Sequence, residues 1–284
     1  HGEEIVKATD RSSLRILGST GETWNPDPWQ WYLDVVGDSR CPIINYSGGT
    51  ETSGGIVTGL PILPIKSCSF TGPVPGMIAD VVDIDNGGEP VRDGVGELVI
   101  REPWVGMTCG FWQDPNRYED TYWSRLPETW VHGDFAEIDA DGYWFIRGRS
   151  DDTLKVSGKR IGPEELESAA VAQGSVREAA AIGVPHPVKG DVAIVFAVLR
   201  PDQTASEELA EKVRRFIGVQ LGAALRPDRV VFVIDLPKTR NAKIMRRVIR
   251  AAWLGLPAGD TSALENPAAV ELIRASATAA SANP

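Results

Sequence analysis

Residues 132–169, HGDFAEIDADGYWFIRGRSDDTLKVSGKRIGPEELESA, change folding pattern within a single stretch. The first half alternates apolar and polar residues in two runs, DFAEI and YWFIR, separated by Asp141-Gly142, the pattern of an antiparallel strand pair closed by a tight turn. The second half switches to a hairpin pattern, TLKVSGKRI, and then to a helix opened by Pro163. Glu164 and Glu165 stand in that helix's first turn, where free backbone N–H groups and the helix dipole favour carboxylates. A sheet-rich region therefore gives way to an α+β unit near Asp151, and a domain boundary is expected there.

Upstream, alternation continues back to about Met77 through MIADVVDI and GELVIR, with a turn signal at Asn86-Gly87, so residues 77–147 read as mostly antiparallel sheet. One helix interrupts them, beginning at Asp114-Pro115 and carrying Tyr118 and Tyr122 at i, i+4. Further upstream, LRILGSTGE reads as a buried strand running into a glycine loop, Asn25 as an N-cap before Pro26, and a Trp-rich helix follows to about Gly37. A second apolar run, CPIINY, leads into the loop SGGTETSGG. This β-α-β pattern puts its loops at strand ends, where open α/β sheets hold ligands.

Downstream of Asp151 come a helix over PEELESAAVA, strands EAAAIGV and DVAIVFAVL, a helix at 205–221, a strand VVFVI and a basic helix KIMRRVIRAAW. The expected fold is thus α/β with an antiparallel subdomain over 1–150, the later part of a large domain, and then a small α+β domain over 151–255. Residues 256–284, rich in Ala, Ser and Pro, are expected to be a loose tail.

The composition, 42% hydrophobic over 284 residues, suits globular domains with full cores. No apolar run approaches the roughly 18 residues of a membrane span, and the N-terminus has no signal-peptide pattern. Three widely spaced cysteines form neither a zinc pattern nor a disulfide framework, so a reducing cytoplasm is expected. A net charge of −10 argues against a general nucleic-acid binder. The chain opens on His1 without preamble, which suggests a fragment with its upstream part missing.

The loop over residues 45–55, NYSGGTETSGG, offers flexible backbone N–H groups, the hydroxyls of Thr50 and Thr52 and the carboxylate of Glu51. Such a set can hold a phosphate and its magnesium ion. On its own a loop of this kind is more often a plain connector, and it is no Walker loop. Asp139-Ala140-Asp141-Gly142 resembles the start of an EF-hand, but no glutamate closes it, and it reads as a hairpin turn. Neither a GxSxG elbow nor HExxH occurs. His132 and His186 read as satisfied structural histidines.

Four separated motifs carry a resemblance over residues 13–255. Gly133-Asp134, the segment GRSDDTLKVSGKRI, the loop NYSGGTE and the late run LPKTRNAKIMRR resemble the adenylate-forming acyl-CoA synthetases, most closely the acetyl-CoA synthetase-like branch. Its patterns are GD, GRxDDxxxxxGxRI and PKTxxGKIxRR. The resemblance implies an enzyme that uses ATP, Mg²⁺ and coenzyme A to activate a carboxylic acid as its adenylate and pass the acyl group to CoA.

By position, Asp134 would bond the ribose hydroxyls, Arg149 would join the nucleotide contacts and Arg160 would approach the phosphates. Asp151 would be the hinge. Lys243 would bridge the substrate carboxylate and the α-phosphate during adenylation. Gly21-Glu22-Thr23 matches the adenine-side loop, with Thr23 where proline is usual. Asn45, Tyr46, Ser47, Gly48 and Gly49 match the adenine and phosphate segment, with Asn45 where the acetate enzymes have Asp. Thr50 would meet the α-phosphate, and Glu51 would hold Mg²⁺. Ser157 and Gly158 would lie beside CoA in the thioester step, and Arg214 or Arg215 would meet its nucleotide end.

These roles suit the chemistry. A carboxylate accepts two vicinal hydroxyls, arginines match phosphate oxygens, and a lysine offsets the repulsion of two anions brought together. Gly48 aligns with a Trp that closes the acyl pocket of acetate enzymes, so an acid larger than acetate is expected. The family's phosphate loop is not among these residues, so this piece alone is expected to be inactive although the whole product is an enzyme. Two alternatives remain: a ligase delivering to a carrier-protein thiol, and a non-catalytic nucleotide-binding paralogue. Oligomeric state is not readable from the sequence.

Overall fold

The computed structural model describes residues 3–150, 152–156, 159–186 and 190–282, apart from the side chains of residues 155, 159, 160, 281 and 282. The chain forms two compact units, residues 1–151 and 152–284.

In the first unit a short helix α1 (Glu3–Lys7) precedes β1 (Leu17–Ser19) and α2 (Pro26–Trp31), which continues as a wider turn over Tyr32–Val36. Asn25 takes the extended backbone of an N-cap and Pro26 supplies a fixed φ at the helix start. The chain returns in β2 (Ile43–Gly49), which runs parallel to β1 and aligns Ser19 with Asn45. Gly21-Glu22-Thr23 and the turn at Thr50–Ser53 therefore follow the same end of two neighbouring strands, while residues 45–49 and 54–55, expected as loop, are the paired ends of β2 and of the next strand. β3 (Gly54–Thr58) folds back on β2, and β4 (Gly72–Pro73) closes this four-stranded sheet.

An antiparallel sheet follows, built from β5 (Ala79–Asp83), β6 (Glu89–Pro90), β7 (Val95–Ile100), β8 (Trp130–Ile138) and β9 (Trp144–Arg149) in the order β6-β5-β7-β8-β9. Helix α3 (Pro115–Tyr122) interrupts it, capped by the Asp114 carboxylate accepting from the Arg117 N–H at 3.3 Å. Its Tyr118 and Tyr122 pack with Phe111 and Trp123 around the fully buried Trp130. The Asp139–Gly142 stretch is a hairpin turn, with Gly142 at φ 85° and Lys66 bonded to both Asp139 and Asp141.

The second unit is a five-stranded sheet between two helical layers. Its strands are β10 (Leu154–Val156), β11 (Lys159–Ile161), β12 (Val176–His186), β13 (Gly190–Leu199) and β14 (Arg229–Phe232). β12 and β13 read as near-continuous apolar runs because both faces are covered. On one side Val195 and Ala197 pack against α4 (Pro163–Ala172) and α5 (Glu207–Leu221). On the other, Ile194 and Phe196 pack against α6 (Arg246–Leu254) and α7 (Pro267–Ala282).

Two expectations need correction. The C-terminal stretch expected as a loose tail contains α7, which buries Ala269, Val270 and Ile273, the last two in a core shared with α6 and the sheet. Burial of Val270 and Ile273 contributes about 1.5–3 kcal/mol each, enough to dock a helix whose Ala and Ser residues look featureless in sequence. The basic helix begins at Arg246 and not at Lys243, because Ala242 adopts φ 62° and Thr239 N–H bonds back to the Lys243 carbonyl at 2.9 Å, closing a turn.

Candidate active site

Gly133, the glycine before Asp134, organises the first unit's candidate site. Gly133 has φ 83°, and a Cβ there would lie 2.8 Å from Arg149 Nη2. Only glycine allows both the left-handed turn of the backbone and the close passage of the guanidinium. Register pairs Asp134 on β8 with Arg149 on β9, and Arg149 Nη1 donates to Asp134 Oδ1 at 3.2 Å and to the His132 carbonyl at 3.3 Å. The Asp134 side chain is only 10% exposed, while that of Arg149 is 38% exposed. The carboxylate is thus set in a recess with its cation at the rim.

The glycine loop meets this pair through His132. A Cβ on Gly49 would be 3.0 Å from His132 Cε1 and 3.5 Å from Glu51 Oε2. His132 Nε2 lies 3.6 Å from Asp134 Oδ2, and Trp130 Nε1 donates to His132 Nδ1 at 3.5 Å. Burial holds the imidazole below its ordinary pKa, against the opposing pull of Asp134, so the ring is neutral. Tyr122, stacked on Trp130 at 3.9 Å, faces Glu51. Burial and then the Glu51 carboxylate push its phenol up to about 12.

Within this segment, the buried Thr52 hydroxyl lies 3.0 Å from both the Gly49 and the Gly54 carbonyl oxygens, either of which can take its one proton, and Ser53 turns at φ 49°. This leaves Thr50 exposed and Glu51 half-buried beside Tyr122. Asn45 is buried and Tyr46 exposed, with Ser47 and Gly48 between these extremes. The β2–β3 register slips between Ser47 and Gly48, and a Cβ on Gly48 would fall 2.0 Å from the Gly54 carbonyl oxygen. The backbone itself excludes any side chain at that position.

Among the described residues no cluster of three or more His, Cys, Asp or Glu could hold a metal ion. A magnesium ion that takes most of its oxygens from substrate phosphates needs one or two protein carboxylates, and Glu51 with the neighbouring Thr50 hydroxyl fits that donor chemistry.

In the second unit Lys243 is exposed on its turn, with its N–H donating to Thr239 Oγ1 at 3.2 Å. Arg160 lies on β11 opposite Lys155. Arg214 donates to Glu211 at 2.8 Å and to the Asp228 carbonyl at 3.1 Å, while Arg215 is exposed. Ser157, Gly158 and Asp151 lie outside the described residues.

Sequence reasoning did not find one feature of this unit. Arg246, 8% exposed, makes a two-pronged bond to Glu167 with both contacts at 2.7 Å, and also approaches Glu164 at 3.2 Å and Asp152 at 4.0 Å. Its only sequence signal is the arginine pair three residues past Lys243.

Sequence comparison agrees with this arrangement. Residues 1–112 match the model of the AMP-binding enzyme family, and residues 165–243 match the model of the AMP-binding enzyme C-terminal domain. The chain belongs to the AMP-binding enzyme family. Within the family it is 44% identical over 275 residues to an acetyl-coenzyme A synthetase of Pyrobaculum arsenaticum, covering 95% of this chain and 41% of that protein. It is 41% identical to the acetyl-coenzyme A synthetase of Escherichia coli, over 95% of this chain and 42% of that one.

Among solved structures, the acetoacetyl-CoA synthetase from Streptomyces lividans matches with a TM-score of 0.84 at 28% identity, over 96% of this chain and 42% of that one. The chain therefore spans about two fifths of the length of these relatives. Among the described residues no helix is long and apolar enough to cross a membrane.

Proposed function

We propose that the whole protein is an AMP-forming acyl-CoA synthetase. A carboxylate oxygen of the acid attacks the α-phosphorus of ATP, forming the acyl-adenylate and expelling pyrophosphate. The thiol of CoA then attacks the acyl carbon, AMP leaves with the C–O bond electrons, and the thiol proton passes to solvent. The observation that carries this reading is the recessed Asp134 carboxylate, gripped at Oδ1 by Arg149 beside the Gly49–Glu51 loop, a geometry suited to vicinal ribose hydroxyls next to phosphates.

In this reading Gly21, Glu22, Thr23, Asn45 and Tyr46 flank the adenine, Ser47, Gly48 and Gly49 shape the loop, and Thr50 meets the α-phosphate. Glu51 holds Mg²⁺, which supplies charge neutralisation at the phosphates when bound. Arg160 and Lys243 bring cations from the second unit, and Ser157 and Gly158 serve the CoA arm. A cytoplasmic setting is part of the proposal, supported by three free cysteines.

The acid is the open part. The names of the curated relatives point to acetate and do not support a larger acid. The case for a larger one rests on the residue type at Gly48 alone, since the space its side chain would take is filled by the Gly54 backbone.

Pyrophosphate release by the whole enzyme, measured against acids from acetate to benzoate, tests both levels. Activity with none of them overturns the synthetase reading, and a maximum at acetate overturns the size reading alone. Lys243→Ala is expected to reduce adenylation about 10²–10³-fold, as for loss of one group stabilising transition-state charge. Thioester formation from supplied acyl-adenylate should stay within a few-fold. Equal loss of both half-reactions removes Lys243 from its role.

A further inference from the structure

Asp134 has two carboxylate oxygens, and Arg149 Nη1 holds Oδ1 at 3.2 Å. The neighbour of Oδ2 is His132 Nε2 at 3.6 Å, with the two side chains 8% and 10% exposed. Which imidazole nitrogen carries the proton is settled by the other side of the ring. An indole N–H can only donate, so Trp130 Nε1 pointing at His132 Nδ1 requires Nδ1 to be the acceptor. The proton of the neutral ring therefore sits on Nε2, aimed at Asp134.

We infer that His132, held as the Nε2–H tautomer by Trp130, is a positioning residue that fixes the Asp134 carboxylate and sets its spacing from the Gly49–Glu51 loop. The loop side of this contact is the missing Cβ of Gly49, which lets His132 Cε1 approach. The support behind it is rigid: Trp130 is fully buried and stacked on Tyr122 at an interplanar angle of 8°. Arg149 Nη1 bonded to Oδ1 and His132 Nε2 packed 3.6 Å from Oδ2, longer than a hydrogen bond, together narrow the rotation open to the carboxylate. His132 itself touches no reacting atom.

This inference rests on the reading of Asp134 as the ribose contact, and the two are tested separately. In the whole enzyme, KM for ATP is compared with KM for 2′,3′-dideoxy-ATP, which lacks both hydroxyls. The unaltered enzyme is expected to prefer ATP. An enzyme indifferent to the hydroxyls overturns the ribose reading and this inference with it. Given that preference, His132→Ala should raise KM for ATP a few-fold, as for loss of a polar contact longer than a full hydrogen bond. It should leave dideoxy-ATP unchanged and kcat within a few-fold.

His132→Gln, whose amide N–H can occupy the Nε2 position, should recover most of the loss, and His132→Asn should not. Equal weakening of both nucleotides, or rescue by Asn rather than Gln, overturns the positioning role while leaving the ribose reading standing. Should the variants fold poorly, ¹⁵N-histidine NMR on the unaltered 284-residue chain reads the tautomer directly, since only three histidines contribute. A protonated Nε2 with an unprotonated Nδ1 on His132 is expected, and a proton on Nδ1 overturns the proposal.

Discussion

Both units hold arginines against carboxylates, and two of these pairs, Arg149 with Asp134 and Arg246 with Glu167, are built differently. Arg149 is 38% exposed and its Nη1 grips Asp134 Oδ1 at 3.2 Å, while His132 Nε2 lies 3.6 Å from Oδ2. Arg246 is 8% exposed, grips Glu167 with two nitrogens at 2.7 Å and has Glu164 and Asp152 around it. The same chemistry serves a ligand-facing recess in one unit and internal architecture in the other. What separates the two is how much of the guanidinium remains in contact with water, because a buried charge must be satisfied entirely by the protein.

The largest expected effect follows from that contrast. Arg246→Ala leaves the buried Glu164 and Glu167 carboxylates beside one another without their cation and should destabilise the second unit by about 3–5 kcal/mol, as for removal of one partner of a buried ion pair. Arg149→Ala should change stability by no more than about 1 kcal/mol, since its pair is partly solvated, while weakening nucleotide binding clearly. Hydrogen exchange of the β12 and β13 amides reports the second unit, and AMP titration reports the first. Similar stability losses in the two variants would erase the distinction.

A smaller effect is expected at the glycine loop, which sits on the ligand-facing side of the comparison. Gly48→Ala sets a methyl group 2.0 Å from the Gly54 carbonyl oxygen, a backbone atom that cannot rotate away. The cost should be about 1–3 kcal/mol of overpacking. Gly54→Ala has no neighbour closer than 3.8 Å and should cost less. Melting temperatures of the two variants check this, and a tolerant Gly48 would mean the loop relaxes more easily than its β-bulge suggests.

The elements of the fold were largely legible because their signals are local. Asp141-Gly142, Pro163 with Glu164 and Glu165, and the apolar run of β13 each specify a turn, a helix start or a covered strand within a few residues. The C-terminal helix was not legible, since Val270 and Ile273 show their worth only in a core assembled from α6 and the distant strands β12 and β13. Nor was the turn at Lys243, which depends on a left-handed Ala242 where the family pattern has glycine.

At the site, sequence pattern marks Asp134 and Arg149, but the partners that fix them are set by register and burial. Arg149 faces Asp134 because β8 and β9 pair there. His132 reads as structural, and it is buried; that it also faces both Asp134 and Gly49 is a product of three-dimensional packing. Arg246 and Glu167 lie 79 residues apart, and no spacing rule joins them.

The finest test of the comparison concerns Glu164. Burial first, opposed by Arg246 and reinforced by Glu167, pushes its carboxyl up to about 7 from a usual 4.5. The folded second unit therefore binds this proton more tightly than the unfolded chain does. Such a shift favours folding when the group is protonated in both states, below about pH 4.5, and the advantage is lost progressively as pH rises through 7. Glu164→Gln keeps the neutral form at every pH but gives up the 3.2 Å contact between Arg246 and a carboxylate.

If desolvation outweighs that contact, the variant should match the native chain near pH 5 and exceed it by about 1 kcal/mol at pH 8, within the limit set by the shift. Exchange protection of β12 and β13 at the two pH values measures the difference, in which every other titrating group cancels. A native chain as stable as the variant at pH 8 would mean that Arg246 satisfies all three carboxylates at once, and the buried cluster would then be electrostatically closed and not strained.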